Sequence, residues 1–166
     1  IMVDGRGENM ITVASGANAR LCRADVARAG DALVEDSLRV VDATLKVDTP
    51  AGPVWRRYNH DGYGEDRDGN AFHGHGIGHA WPLLTGERGH YELAAGRDPA
   101  PYVRALEGFA SGCGLLPEQV WDLPDIPAKF LYFGQPTGAA MPLCWAHAEY
   151  VKAETLCLDL RFADAP

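Results

Sequence analysis

A chain of 166 residues, 46% of them hydrophobic, suits one packed domain rather than a disordered segment. Its formal net charge of −8 argues against nucleic acid or an anionic membrane as the main partner. No apolar run reaches the length of a membrane span, and a neutral ligand such as a sugar is compatible with this balance.

Residues 1–16, IMVDGRGENMITVASG, hold two short β-prone runs around the turn-rich GRGEN and predict a hairpin. The chain opens on Ile1 without a charged-then-apolar leader, which leaves its compartment open. From Ala24 to about Val47 the pattern predicts helix, with a break near Gly30-Asp31. Val34, Leu38, Val41 and Leu45 recur at helical spacing, while Glu35, Asp36, Arg39, Asp42 and Lys46 face away. Pro50, Gly52 and Pro53 then end regular structure.

Residues 54–79 read as a long polar loop, rich in glycine and carrying Trp55, Tyr58, Tyr63 and Phe72. A loop of that length with that many rings points to a ligand rather than to disorder. A second helix is expected from about Pro82 to Ala95, with Gly96 as its stop. Asp98 and Pro99 cap and open a third, whose stripe is Tyr102, Leu106, Phe109, Ala110 and Cys113 and whose end is Gly114. Residues 115–137 return to loop. A last helix is expected from about Ala140 to Leu158, with Pro142 in its first turn. β signal is confined to the N-terminus, so the fold class is mainly α. Cys22, Cys113, Cys144 and Cys157 lack CxxC spacing and predict buried free thiols rather than disulfides or metal ligands.

Two loops carry candidate chemistry. In WRRYNHDGYG, residues 55–64, arginine forks and Asp61 suit vicinal hydroxyls, and the rings suit the apolar face of a sugar. An arginine-rich surface loop with weak ion pairs is the plainer alternative. In LLPEQVWDLPD, Glu118 stands beside Gln119 and Trp121, an arrangement fit for general-base work on a water. A solvated loop glutamate is the alternative there. His73, His75 and His79 invite a metal reading, but their irregular spacing in a Gly-rich loop makes them incidental. Asp66-Arg67-Asp68-Gly69-Asn70 lacks the full ligand spacing of a calcium loop and reads as a turn.

The stretches LKVDTPAGPVWRRYNHDGYG, AWPLLTGERGHYELAAG, LLPEQVWD and GQPTGAAMPLCWAHAEYVK closely resemble glycoside hydrolase family 15, in its bacterial glucodextranase/glucoamylase branch. The resemblance runs from about residue 35 to 152, about seven-tenths of the chain. It implies the C-terminal part of a catalytic domain built as an α/α six-fold barrel, of which these helices would be the last four. It also implies an inverting exo-acting hydrolase that releases glucose from α-glucans such as dextran, starch or maltooligosaccharides, without a cofactor. By the same resemblance Glu118 is the general base and Arg57 binds substrate hydroxyls. Asp61 and Trp81 line the same subsites, and Trp55, Tyr58 and Trp121 complete the list of substrate-binding candidates. The family's general acid lies in a Trp-Glu-Glu context that is missing here, so only the base half of the machinery is expected. A third of such a barrel is expected to self-associate through uncovered apolar faces.

Residues 1–34 instead resemble a piece of a ribokinase-type sugar kinase, without its Gly-Ala-Gly-Asp catalytic loop. On that reading the chain has two parts, 1–34 and 35–166, joined near Val34 by fusion or by a misjoined gene model.

Overall fold

The computed structural model describes residues 2–3, 9–10 and 30–163, with side-chain surroundings from 30 to 154. Strands β1 (Met2–Val3) and β2 (Asn9–Met10) pair antiparallel, with Met2 opposite Met10, where the N-terminal hairpin is expected. The rest of that segment, the helix start near Ala24 and Cys22 lie outside the described residues.

Helix α1 (Ala32–Leu45) starts where the Gly30-Asp31 break predicts. The Asp31 carboxylate accepts the Leu33 N–H at 2.9 Å and so satisfies one of the free donors of the first turn. The apolar stripe is shallower than its spacing suggests. Val34, Leu38 and Leu45 are half-buried, Val41 is exposed, and no residue of α1 is fully buried. Polar contacts hold the helix instead. Glu35 accepts from Tyr91 Oη at 2.6 Å and from Arg97 Nη1 at 2.9 Å, and Asp42 accepts from Trp55 Nε1 at 2.9 Å.

A second hairpin corrects the expectation that regular structure ends at Pro50. Strands β3 (Lys46–Thr49) and β4 (Gly52–Trp55) pair antiparallel, Val47 opposite Val54, and the helix yields to β3 directly after Leu45. Pro50 and Ala51 form the turn, and Thr49 Oγ1 donates to the Gly52 carbonyl at 2.8 Å. Proline is tolerated in β4 because this ribbon of two strands leaves each strand an open edge for a residue without an N–H.

Helix α2 (Pro82–Ala94) is the centre of the described structure, packed against β4, α3 (Ala100–Phe109) and α4 (Cys144–Ala163). Val54, Ala80, Leu83, Ala105, Phe109, Leu116, Val120 and Ala146 form the core around it. Thr85 Oγ1 donates to the Pro53 carbonyl at 2.9 Å, which pins the helix to β4. Helix α2 ends as predicted, with the Gly96 N–H on the Leu93 carbonyl and the Arg97 N–H on that of Glu92.

Helix α3 departs from expectation at its end and α4 at both ends, running on to Ala163 rather than stopping near Leu158. Asp98 does cap α3, through the Ala100 N–H at 2.9 Å, but the helix stops at Phe109 rather than Gly114. Ser111 to Leu115 then close a turn of their own, with Cys113 exposed in it. Helix α4 begins at Cys144, so Pro142 precedes it and Cys144 is exposed at its first position. The reason is tertiary: Thr137 N–H, Glu118 N–H and Leu143 N–H link 137–143 to residues 116–119 in loop-to-loop hydrogen bonds. These two cysteines are free thiols as expected, but not buried ones. The Cys157 side chain lies outside the described surroundings. No helix among the described residues is long and apolar enough to cross a membrane.

Candidate active site

The loop between β4 and α2 folds back on itself through glycines. The segment 76–78 runs hard against 61–65, with the Ile77 N–H on the Glu65 carbonyl at 3.0 Å and the Gly78 N–H on that of Asp61 at 2.6 Å. A Cβ at Gly76 would lie 1.9 Å from the Gly64 carbonyl oxygen, and one at Gly78 would lie 2.3 Å from Asp61 Cβ. Only glycine permits that approach.

This folding buries Asp61 beneath Arg57. Arg57 Nε and Nη2 donate to the two Asp61 oxygens at 2.7 and 2.9 Å, and Asp61 Oδ1 also accepts the Tyr63 N–H at 3.1 Å. A bidentate pair of this kind sets direction as well as charge. The guanidinium lies 4.5 Å from the Trp81 ring centre, 5.2 Å from that of Tyr63 and 5.3 Å from that of Tyr58. Burial works against the charge on Arg57. Its hydrogen bonds and attraction to Asp61 prevail, with lesser pulls from Tyr58 and Glu118, and hold its pKa above the usual arginine value.

Glu118 reaches the same cluster from the other side of the core. Its N–H donates to the Ala140 carbonyl at 2.8 Å, and its half-buried carboxylate accepts Tyr63 Oη at 3.3 Å through Oε2. The neighbouring Gln119 is fully buried and donates through Nε2 to the Tyr63 carbonyl at 3.1 Å. The Tyr63 ring stands 6.1 Å from Trp81 and edge-on to Phe72 at 5.1 Å. Tyr63 and Phe72 also wall a cavity of about 330 Å³ closed by Gly138, Ala139 and Ala140. A carboxylate, a cation and three aromatic rings thus share one place.

Of the residues singled out in the sequence, Glu118, Arg57, Asp61, Trp81 and Tyr58 come together here. Trp55 and Trp121, the other substrate-binding candidates, lie outside this cluster. Trp55 is buried, stacks on Tyr102 at 6.3 Å and takes the Arg88 guanidinium at 5.3 Å on its ring. Trp121 is fully buried, donates its indole N–H to the Pro124 carbonyl at 2.9 Å and lies 4.6 Å from the His79 ring.

The histidines also divide. His73 and His75 are exposed, whereas His79 is fully buried and far from incidental. His79 Nδ1 pairs with Asp122 Oδ1 at 2.8 Å and Nε2 with the Glu65 carbonyl at 3.2 Å, while Arg56 Nε reaches Asp122 Oδ2 at 2.6 Å. This bridge ties the loop between β4 and α2 to the loop that carries Glu118. Nothing local in the letters around His79 announces a partner 43 positions later. Tyr63 was legible only as one ring among several. The segment 66–70 is the turn its letters predict, with Asp66 Oδ1 accepting the Asp68 and Asn70 N–H groups at 2.9 Å each.

A model of glycosyl hydrolases family 15 matches residues 13–155. The match begins upstream of residue 35 and takes in residues 13–34, most of the stretch that resembles a kinase. The chain is 49% identical over 146 residues to the glucoamylase of Clostridium sp. (strain G0005), covering 88% of this chain and 20% of that protein. It also superposes on a crystal structure of bacterial glucoamylase complexed with acarbose, with a TM-score of 0.69 and 53% identity. That match covers 77% of this chain and 18% of the other. The chain therefore spans about a fifth of the length of these relatives, and the four described helices correspond to part of their helical barrel.

Proposed function

Because the chain belongs to glycosyl hydrolases family 15, we propose that it supplies the general-base part of an inverting, exo-acting α-glucoside hydrolase. Glu118 takes the proton of the water that attacks the anomeric carbon, and Arg57, aimed by Asp61, holds substrate hydroxyls beside the cleaved bond. Trp81 and Tyr58 flank the Arg57 guanidinium and line the same subsite. The observation that carries this reading is the meeting of the Glu118 carboxylate and the Arg57 guanidinium over the one ring of Tyr63. The acarbose complex of the similar bacterial glucoamylase supports a carbohydrate as the ligand.

Inversion requires a second carboxyl group about 6.5–9.5 Å away as general acid. The chain contains no Trp-Glu-Glu stretch to provide it, so the acid comes from the remainder of a longer polypeptide. The complete polypeptide acting on maltooligosaccharides is expected to release β-glucose first, read from the anomeric proton by NMR. The 166-residue chain by itself is expected to show no turnover. Initial release of α-glucose, or measurable hydrolysis by the isolated chain, would overturn this assignment.

The faces that the rest of the barrel would cover have a consequence for the isolated chain. Leu33 and Val40 on α1 and Trp145 and Val151 on α4 are each more than half exposed. Such surface seeks partners. Light scattering on a size-exclusion column is expected to give a mass above the 17.9 kDa of one chain, and a compact monomer would contradict it.

A further inference from the structure

Tyr63 is tied to the Glu118-Gln119 pair at both ends. Its carbonyl accepts from Gln119 Nε2 at 3.1 Å, while its phenol donates to Glu118 Oε2 at 3.3 Å. Its N–H is taken by Asp61 Oδ1 at 3.1 Å, so the backbone has little freedom to turn the ring away. The ring is wedged among Trp81, Phe72 and the Arg57 guanidinium. The backbone after it is equally confined, since a Cβ at Gly64 would lie 2.6 Å from Gln119 Oε1 and from the Ile77 carbonyl oxygen.

A base that activates water must present one carboxylate oxygen in a fixed direction. The Tyr63 phenol engages Oε2, and among the described residues no hydrogen bond is made to Oε1. From this we infer that Tyr63 is a positioning residue for the base: it pins Glu118 by Oε2 and so assigns Oε1 to the attacking water. The inference rests on the reading of Glu118 as the base. The charged groups beside the Tyr63 phenol, besides Glu118 itself, are Arg57 and Glu65. Burial and the negative charge of Glu118 push the Tyr63 phenol above its usual pKa, so it keeps the proton it donates.

Tyr63→Phe keeps the wedged ring and deletes only the hydroxyl. In the complete polypeptide this variant is expected to lose about tenfold in kcat with KM nearly unchanged. A kcat within about twofold of wild type, or a kcat loss matched by a change in KM, overturns the positioning role and leaves Glu118 as base. Near wild-type activity in Glu118→Gln would remove the reading beneath it.

Discussion

Glu118→Gln in the complete polypeptide is expected to lower kcat by about a hundred- to ten-thousandfold, the range general-base catalysis contributes. That loss corresponds to roughly 3–5 kcal/mol of barrier. Glutamine has nearly the shape of glutamate and retains an oxygen for the Tyr63 phenol, so the cluster keeps its geometry. It cannot accept the proton of a water. KM is expected to change little, because the hydroxyl-binding fork belongs to Arg57, which stays locked to Asp61. The measurement is glucose release from maltooligosaccharides, paired with a thermal melt to show that the fold survives. A kcat within a few-fold of wild type would reject the assignment of Glu118.

Gly76→Ala is expected to be among the most destabilising changes available in the described residues. The new Cβ would meet the Gly64 carbonyl oxygen at 1.9 Å, the Gly64 carbonyl carbon at 2.9 Å and the Glu65 carbonyl oxygen at 3.1 Å. All three are backbone atoms, so no side chain can swing aside. The reduced entropy of the unfolded chain would offset only about 0.4–1 kcal/mol. A net loss of about 3 kcal/mol is expected from the forced separation of the two segments. For a chain of this size that corresponds to a drop in Tm of roughly 6–12 °C. Gly112→Ala is the control, since a Cβ there meets nothing within 4 Å. Its Tm should stay close to wild type, and equal melting of the two variants would refute the packing argument. The cost also reaches the site, because the displaced segment is the one that carries Asp61 and Tyr63.

The two arginine contacts illustrate how far local letters reach. Arg57 and Asp61 are four positions apart in one loop; the letters WRRYNHD suggest that both bind hydroxyls, whereas the structure pairs them with each other. Arg56 and Asp122 are 66 positions apart, and no pattern in either loop joins them. The same distinction separates the helices. Asp31 and Asp98 act on the residues just after them, so the starts of α1 and α3 were predictable. The start of α4 was not, because residues 137–143 bond to 116–119 rather than continuing the helix backward. The β3–β4 hairpin was missed although its signal was present. Val47 and Val54 flank a turn containing proline, and the turn residues were taken as the end of structure instead of its corner.

Sequence alone therefore determined the mainly helical class and the approximate places of the described helices, and through whole motifs the family and the candidate base. These are set by neighbours within about one helical turn, or by letters long enough to be distinctive. Only the tertiary structure decided which tryptophan joins the Arg57 cluster, that His79 bridges two loops, and that Tyr63 meets Glu118. Those outcomes depend on which distant backbone is close enough to bury a ring or accept a proton, and burial is a property of the packed chain rather than of any stretch of it.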